Sequence, residues 1–335
     1  MSDITGPLLR VRDLKTAFQT PAGLIPAVNG VNFSLRAGET LGLVGESGCG
    51  KTVTALSILR LLPEHVSRQS GQIFFDQRDL MALKGPEMRA IRGNRIAMIF
   101  QEPMTALNPV LTIGDQISEV LRLHRGLSKA AAWEEAGRGL VRVGIADPEQ
   151  RLPQYPHQLS GGLRQRALIA MALACEPQLV IADEPTTALD VTIQAQILAL
   201  ISRLQRELNM ALLLISHNLG VVAQITDQVA VMYAGVIVET APTTRLFAGP
   251  KHPYTKGLLA SVPKLDFQDI PEDLLAIHGQ VPNLWELPAG CPFQPRCSQA
   301  FDACGQPPPW IEVAADHGVL CWLYQGGRQG AVDYD

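Results

Sequence analysis

The 335-residue sequence has no long apolar run, no strong charge imbalance, and only two cysteines, Cys49 and Cys175, before its last 45 residues. Each shortage excludes something. The longest uninterrupted apolar stretch, ALIAMALAC from Ala167 to Cys175, is about half of what a helix needs to cross a bilayer. The chain is therefore not expected to span a membrane. With 28 basic and 32 acidic residues the formal net charge is −4, so the clearly basic face of a nucleic-acid binder is missing and nucleic acid is not an expected partner. The N-terminal MSDITGPLLRVRD lacks the basic and then apolar regions of a secretory signal, which makes the cytosol the expected compartment. No internal repeat or low-complexity segment stands out.

What is present has a clear rhythm. Short apolar runs rich in Val, Ile and Leu recur at LGLVG (41–45), RIAMIF (95–100), QLVIAD (178–183), ALLLIS (211–216) and QVAVMYA (228–234). Continuous apolar runs of this length read as strands buried on both faces. Helical stretches such as Val53 to Leu62 and Val191 to Leu208 lie between them, so the expected core is an α/β domain on a mainly parallel sheet. AVNGVNFSLR (27–36) and GQIFFD (71–76) alternate more and predict an antiparallel edge region. Residues 112–175 carry helical rather than strand signal and predict a helical subdomain over about 110–176.

GESGCGKT, Gly45 to Thr52, fits G-x-x-x-x-G-K-[ST] between a buried strand and a helix. Gly45, Glu46, Ser47, Gly48, Cys49 and Gly50 form a loop whose backbone N–H groups can curl around phosphate oxygens. Lys51 reaches the outer phosphates, and Thr52 supplies a hydroxyl to Mg²⁺. Cys49 sits at a tolerant position, as a small space filler or as a thiol whose pKa the helix N-terminus lowers. Asp183 ends the strand QLVIAD, where a carboxylate can hold Mg²⁺ through water, and Glu184 follows as the candidate base for an attacking water. LSGGLRQR (159–166) opens another helix with Ser160, Gly161 and Gly162, a second N-terminus suited to anionic oxygens.

This ordered set resembles the ATP-binding subunits of ABC transporters, from about residue 8 to 260. The resemblance implies an ATPase of P-loop ABC type with an antiparallel β edge and a helical subdomain. It implies that Gln101 senses Mg²⁺ and the γ-phosphate, that His217 contacts the γ-phosphate, that Asp190 of TTALD couples two sites, and that Phe18 stacks on adenine. In this family two ATP molecules lie between two such domains, the phosphate loop of one facing the signature of the other. Leu163 departs from the family's usual Gln, so a side-chain contact is lost there.

IFQEPMTALNP (99–109), KHPYTKGLLASVP (251–263) and the cysteine tail resemble the peptide-uptake branch, most of all the first ATPase subunit of a dipeptide or oligopeptide importer. That implies a second, different ATPase subunit, two membrane permeases, an extracytoplasmic solute-binding protein, and a peripheral place on the cytoplasmic face of the cell membrane. A nickel or other small-solute importer of the same branch stays open. A soluble ABC ATPase acting on nucleic acid or ribosomes is the reading from another class.

The expected division is a nucleotide-binding domain at 1–263 and a cysteine-rich module at 264–335. Cys291, Cys297, Cys304 and Cys321 follow a C-x5-C-x6-C-x16-C pattern without close pairs, amid prolines that prevent long helices. In reducing cytosol four clustered thiols are metal ligands or free thiols more plausibly than disulfides. Four thiolates suit Zn²⁺ or a [4Fe–4S] cluster, and the resemblance to peptide-importer tails favours the cluster. His278 and His317 are nearby substitute ligands, more simply read as surface residues.

Overall fold

The computed structural model describes residues 6–21, 23–187, 189–261 and 277–327. The expected domain boundary at 263/264 and Ala188 of TTALD lie outside them. Among the described residues twelve strands form: β1 (Leu9–Thr20), β2 (Gly23–Leu35), β3 (Thr40–Val44), β4 (Ser67–Phe75), β5 (Arg78–Asp79), β6 (Ile96–Ile99), β7 (Leu179–Asp183), β8 (Ala211–Ser216), β9 (Gln228–Tyr233), β10 (Val236–Pro242), β11 (Trp310–Ala314) and β12 (His317–Leu320). The chain divides into two compact units, one of Met1–Leu9, Leu35–Thr40 and Phe74–Ile215, the other of Arg10–Ser34, Leu41–Ile73 and Ser216–Asp335.

In the first unit β6, β7 and β8 pair in parallel, Ile96 opposite Leu179 and Leu179 opposite Ala211. Every residue of β6 and β7 is buried, which is why their sequences are continuous apolar runs rather than alternating ones. Between β6 and β7 the described residues are helical and not extended. The Thr112 hydroxyl accepts from the Asp115 amide to start the helix Ile113–Arg125, and Gly126, left-handed, stops it. Its Ile113, Ile117 and Leu121 fall four residues apart on one buried face. The helix Lys129–Arg142 is capped by Ser128 and buries Ala132, Ala136 and Leu140 at the same spacing. The helix Gly161–Leu173 completes this group.

In the second unit β3 runs parallel to β9, Leu41 opposite Gln228 and Val44 opposite Val231. β10 returns antiparallel to β9. The predicted edge region is present as β2 and β4, with β1 between them in the order β2-β1-β4. β1 carries a Leu9, Val11, Leu14 burial pattern too irregular to be read from the sequence alone.

The tail departs from its weakly periodic reading. β11 and β12 form a hairpin, and β12 adds to β10 antiparallel, Glu239 opposite Val319 and Thr240 opposite Gly318. A four-residue strand such as HGVL has no periodicity of its own; its partner strand fixes it. His317, expected at the surface, is fully buried, because its Nε2 lies 2.8 Å from the carboxylate of the equally buried Glu239.

Candidate nucleotide site

The phosphate loop leaves β3 and enters the helix Lys51–Ile58, two positions earlier than the sequence suggests. Gly45, Gly48 and Gly50 have φ of 154°, 78° and 105°. A Cβ on Gly45 would stand 2.1 Å from the Met232 carbonyl oxygen, and one on Gly50 would stand 2.4 Å from that of Ala27. Those two positions therefore tolerate glycine alone. The Lys51 ammonium, 5% exposed, donates to the carbonyls of Gly45 (2.8 Å) and Glu46 (3.0 Å), which curls the loop around its own cation. Ser47, Gly48 and Thr52 face solvent. Cys49 is fully buried, and burial pushes its thiol up rather than down. Of the two readings of Cys49, burial fits the small space filler and not the thiol activated by the helix N-terminus, because desolvation outweighs the nearby Lys51 charge. In this same unit Phe18 is half-buried on β1 and His217 is exposed just after β8.

The other candidates belong to the first unit. Asp183, 2% exposed, is the last residue of β7. Glu184 takes a left-handed φ of 45°, strained backbone of a kind that concentrates at functional sites. Its amide donates to the Ile215 carbonyl at 3.0 Å. Its carboxylate accepts from Gln101 Nε2 at 3.2 Å and from the Thr187 hydroxyl at 2.9 Å, so Gln101 and Glu184 are brought together. Ser160 caps the helix Gly161–Leu173 by accepting from the Leu163 amide at 3.5 Å, and Asp190 caps Val191–Leu208 by accepting from the Ile193 amide at 2.9 Å. Ser160, Gly161, Gly162, Leu189, Asp190 and Ile193 line one open cavity of about 420 Å³. Two helix N-termini thus border a common solvent-facing space, with Leu163 contributing its amide to the cap.

In the tail, Cys291, Cys297, Cys304 and Cys321 line one small cavity with His252 and Phe293. Burial raises the thiols of Cys291 and Cys297, and pushes that of Cys321 up to about 12. No disulfide joins them. Among the described residues no group of three or more histidines, cysteines and acids is placed to hold a metal ion. The four sulfurs are thiophilic donors bordering one cavity without being gathered into a metal-holding group, and neither His278 nor His317 joins them: His317 pairs with Glu239, and His278 is exposed with its carbonyl accepting from Arg296.

Two residues with no role assigned from the sequence also touch the phosphate loop. The Glu46 amide donates to the Tyr254 hydroxyl at 2.9 Å, and Arg296 pairs with the Glu46 carboxylate. Tyr254 stands out in sequence within HPYTKGLL, but nothing local connects it to a loop more than 200 residues earlier. Arg296 carries no local signal beside Cys297 that would single it out.

A glycine-turned loop closing on a buried lysine between strand and helix defines a P-loop nucleotide-binding protein. The comparisons make that class specific. A family model described as "ABC transporter" matches residues 28–187, and one described as "Oligopeptide/dipeptide transporter, C-terminal region" matches residues 238–304. The chain is 52% identical over 327 residues to the "Dipeptide transport ATP-binding protein DppD" of Bacillus subtilis (strain 168), covering 97% of each. It is 52% identical over 302 residues to the "Oligopeptide transport ATP-binding protein OppD" of Salmonella typhimurium, covering 90% of this chain and 89% of that one. The dimeric ADP- and phosphate-bound structure of the ATP-binding cassette MJ0796 is similar at a TM-score of 0.63 and 25% identity, over 70% of this chain and 98% of that one. The chain belongs to the ABC transporter ATP-binding family, and it is an ATPase with the oligopeptide/dipeptide-transporter C-terminal region. Among the described residues no helix is long and apolar enough to cross a membrane.

Proposed function

We propose that this chain is the ATP-hydrolysing motor subunit of a bacterial importer for di- or oligopeptides. The observation that carries the reading is the built phosphate loop, held in the same compact unit as the region that matches peptide transporters. ATP binds with its β- and γ-phosphates against the Gly45–Thr52 amides and Lys51, and with its adenine on Phe18. Glu184, whose carboxylate is oriented by Gln101 and Thr187, takes the proton of the attacking water, and His217 contacts the γ-phosphate. Bound Mg²⁺ would offset phosphate charge, and Thr52, Gln101 and the strand-ending Asp183 are the residues that suit it.

Ser160, Gly161, Gly162 and Asp190 face a second ABC ATPase subunit, whose own phosphate loop brings the nucleotide they engage. Closure of that heterodimer on ATP and its reopening after hydrolysis drive two membrane permeases fed by an extracytoplasmic solute-binding protein. The subunit is peripheral, at the cytoplasmic face of the cell membrane. Residues 1–263 form the nucleotide domain, with a helical subdomain over about 110–176, and 264–335 the cysteine-rich module. In that module Cys291, Cys297, Cys304 and Cys321 hold a [4Fe–4S] cluster, with zinc as the alternative. The four sulfurs on one cavity support this reading, and iron, sulfide and zinc analysis after anaerobic purification decides it.

The proposed hydrolysis is tested with Glu184→Gln in the assembled transporter. Steady-state ATP turnover is expected to fall by about 10²-fold or more, as for loss of a general base, with nucleotide still bound. Undiminished turnover would remove Glu184 from this role.

A further inference from the structure

Glu46 is an odd occupant of a loop that must attract phosphate, since a carboxylate among its amides repels anions. The structure answers this with contacts from two separate stretches of the second unit, backed by a third. Arg296, inside the cysteine segment, donates through both terminal nitrogens to the Glu46 carboxylate, at 2.8 and 3.0 Å. Its side chain is 5% exposed, against 28% for Glu46. It is itself fixed by the carbonyls of His278 (3.0 Å) and Gly279 (3.3 Å), and it lies 5.8 Å from the ring centroid of Tyr233 on β9. Such a two-pronged guanidinium contact is directional as well as neutralising.

The Glu46 backbone is held from another side by the Tyr254 hydroxyl. Tyr254 lies in the first turn of the helix Pro253–Ala260, whose start is locked: His252 Nδ1 accepts from the Tyr254 amide, and the buried Glu239 carboxylate accepts from the amides of Lys251 (2.7 Å) and His252 (2.8 Å) and meets His317 of β12. The rings of Tyr233, Tyr254 and Phe293 pack together at centroid separations of 4.6 to 5.4 Å, so β9, the HPY segment and the cysteine loop form one rigid cluster behind Glu46.

We propose that Tyr254 and Arg296 are positioning residues for ATP binding: Tyr254 fixes the Glu46 amide, Arg296 anchors and neutralises its carboxylate, and through them the C-terminal region sets the phosphate loop's affinity for nucleotide. This gives the HPY segment a physical role and links the cysteine loop to the nucleotide, since Arg296 directly precedes Cys297. The inference uses the ATPase reading only for its readout.

The test is equilibrium binding of a fluorescent ATP analogue with Mg²⁺ to the full chain, with KM and kcat for ATP in the assembled transporter. Arg296→Met should raise Kd and KM by about fivefold to tenfold while kcat changes less than about twofold, because one charge-assisted, partly exposed contact is lost and Glu46 is left unneutralised. Adding Glu46→Gln to Arg296→Met should recover most of that affinity, and Arg296→Lys should retain part of it. Tyr254→Phe should cost about twofold to threefold in Kd, as for one neutral hydrogen bond. Unchanged Kd in Arg296→Met, or a double variant as weak as the single one, would overturn the inference and leave the ATPase intact. No analogue binding by the unaltered chain would overturn both.

Discussion

The phosphate loop and the signature segment both use a helix N-terminus, yet they are built to opposite standards. Around Gly45–Thr52 the lysine is buried, two glycines sit against carbonyl oxygens, and Glu46 is held through backbone and side chain. Around Ser160–Gly162 the cap is a single long contact of 3.5 Å, and the residues border open solvent. The difference teaches that the phosphate loop is preorganised by contacts within the chain, whereas the Ser160–Gly162 segment is left open to solvent, as the proposed engagement of a nucleotide brought by a second subunit requires.

Substitutions should separate the two halves. Lys51→Ala is expected to have the largest effect, abolishing measurable binding of MgATP to the lone chain, because no other cation is placed inside the loop in this sequence stretch. Retained binding, read by fluorescence titration, would show that the loop is not the primary phosphate site. Next comes pH, acting through His252, which caps the helix Pro253–Ala260. Burial holds His252 down to about 4, from an ordinary 6.5. The unfolded chain therefore takes up the proton first, so the stability His252 contributes is complete above pH 6.5 and is lost as pH falls toward 4. The loss is on the order of 2–3 kcal/mol, and denaturant melts at pH 7 and pH 5 should show it. His252→Asn, which keeps a capping acceptor, should flatten that slope; an unchanged slope would assign the loss to other groups. Smallest is Ser160→Ala, which should lower stability by about 0.5–1 kcal/mol and leave nucleotide binding by the lone chain untouched. Its effect on turnover should emerge only when the proposed second ATPase subunit is present.

How much of this was readable in advance depends on whether a feature is local. The phosphate loop, the strands β3, β6, β7, β8 and β9, and the capped helices were legible because their signals are continuous burial and fixed spacing within a few residues. Glu184 was legible as an acid at a strand end; its contact with Gln101 was not, because it joins positions 83 residues apart. The tail's local signals are its prolines and cysteines. Its hairpin, and the burial of His317, depend on Glu239 and β10, which no composition of residues 264–335 reveals. At Cys49 the sequence offers two readings, and packing decides between them: burial of the side chain fits the small space filler and raises the thiol instead of lowering it.

The most direct measurement compares MgATP binding and ATP turnover for the full chain, first alone under conditions where it is monomeric, then with the proposed second ATPase subunit and permeases. The account predicts that the lone chain binds one nucleotide through its preorganised loop but turns over slowly, with turnover rising sharply on assembly. Full turnover by the monomer, or no binding until the partner is added, would contradict it.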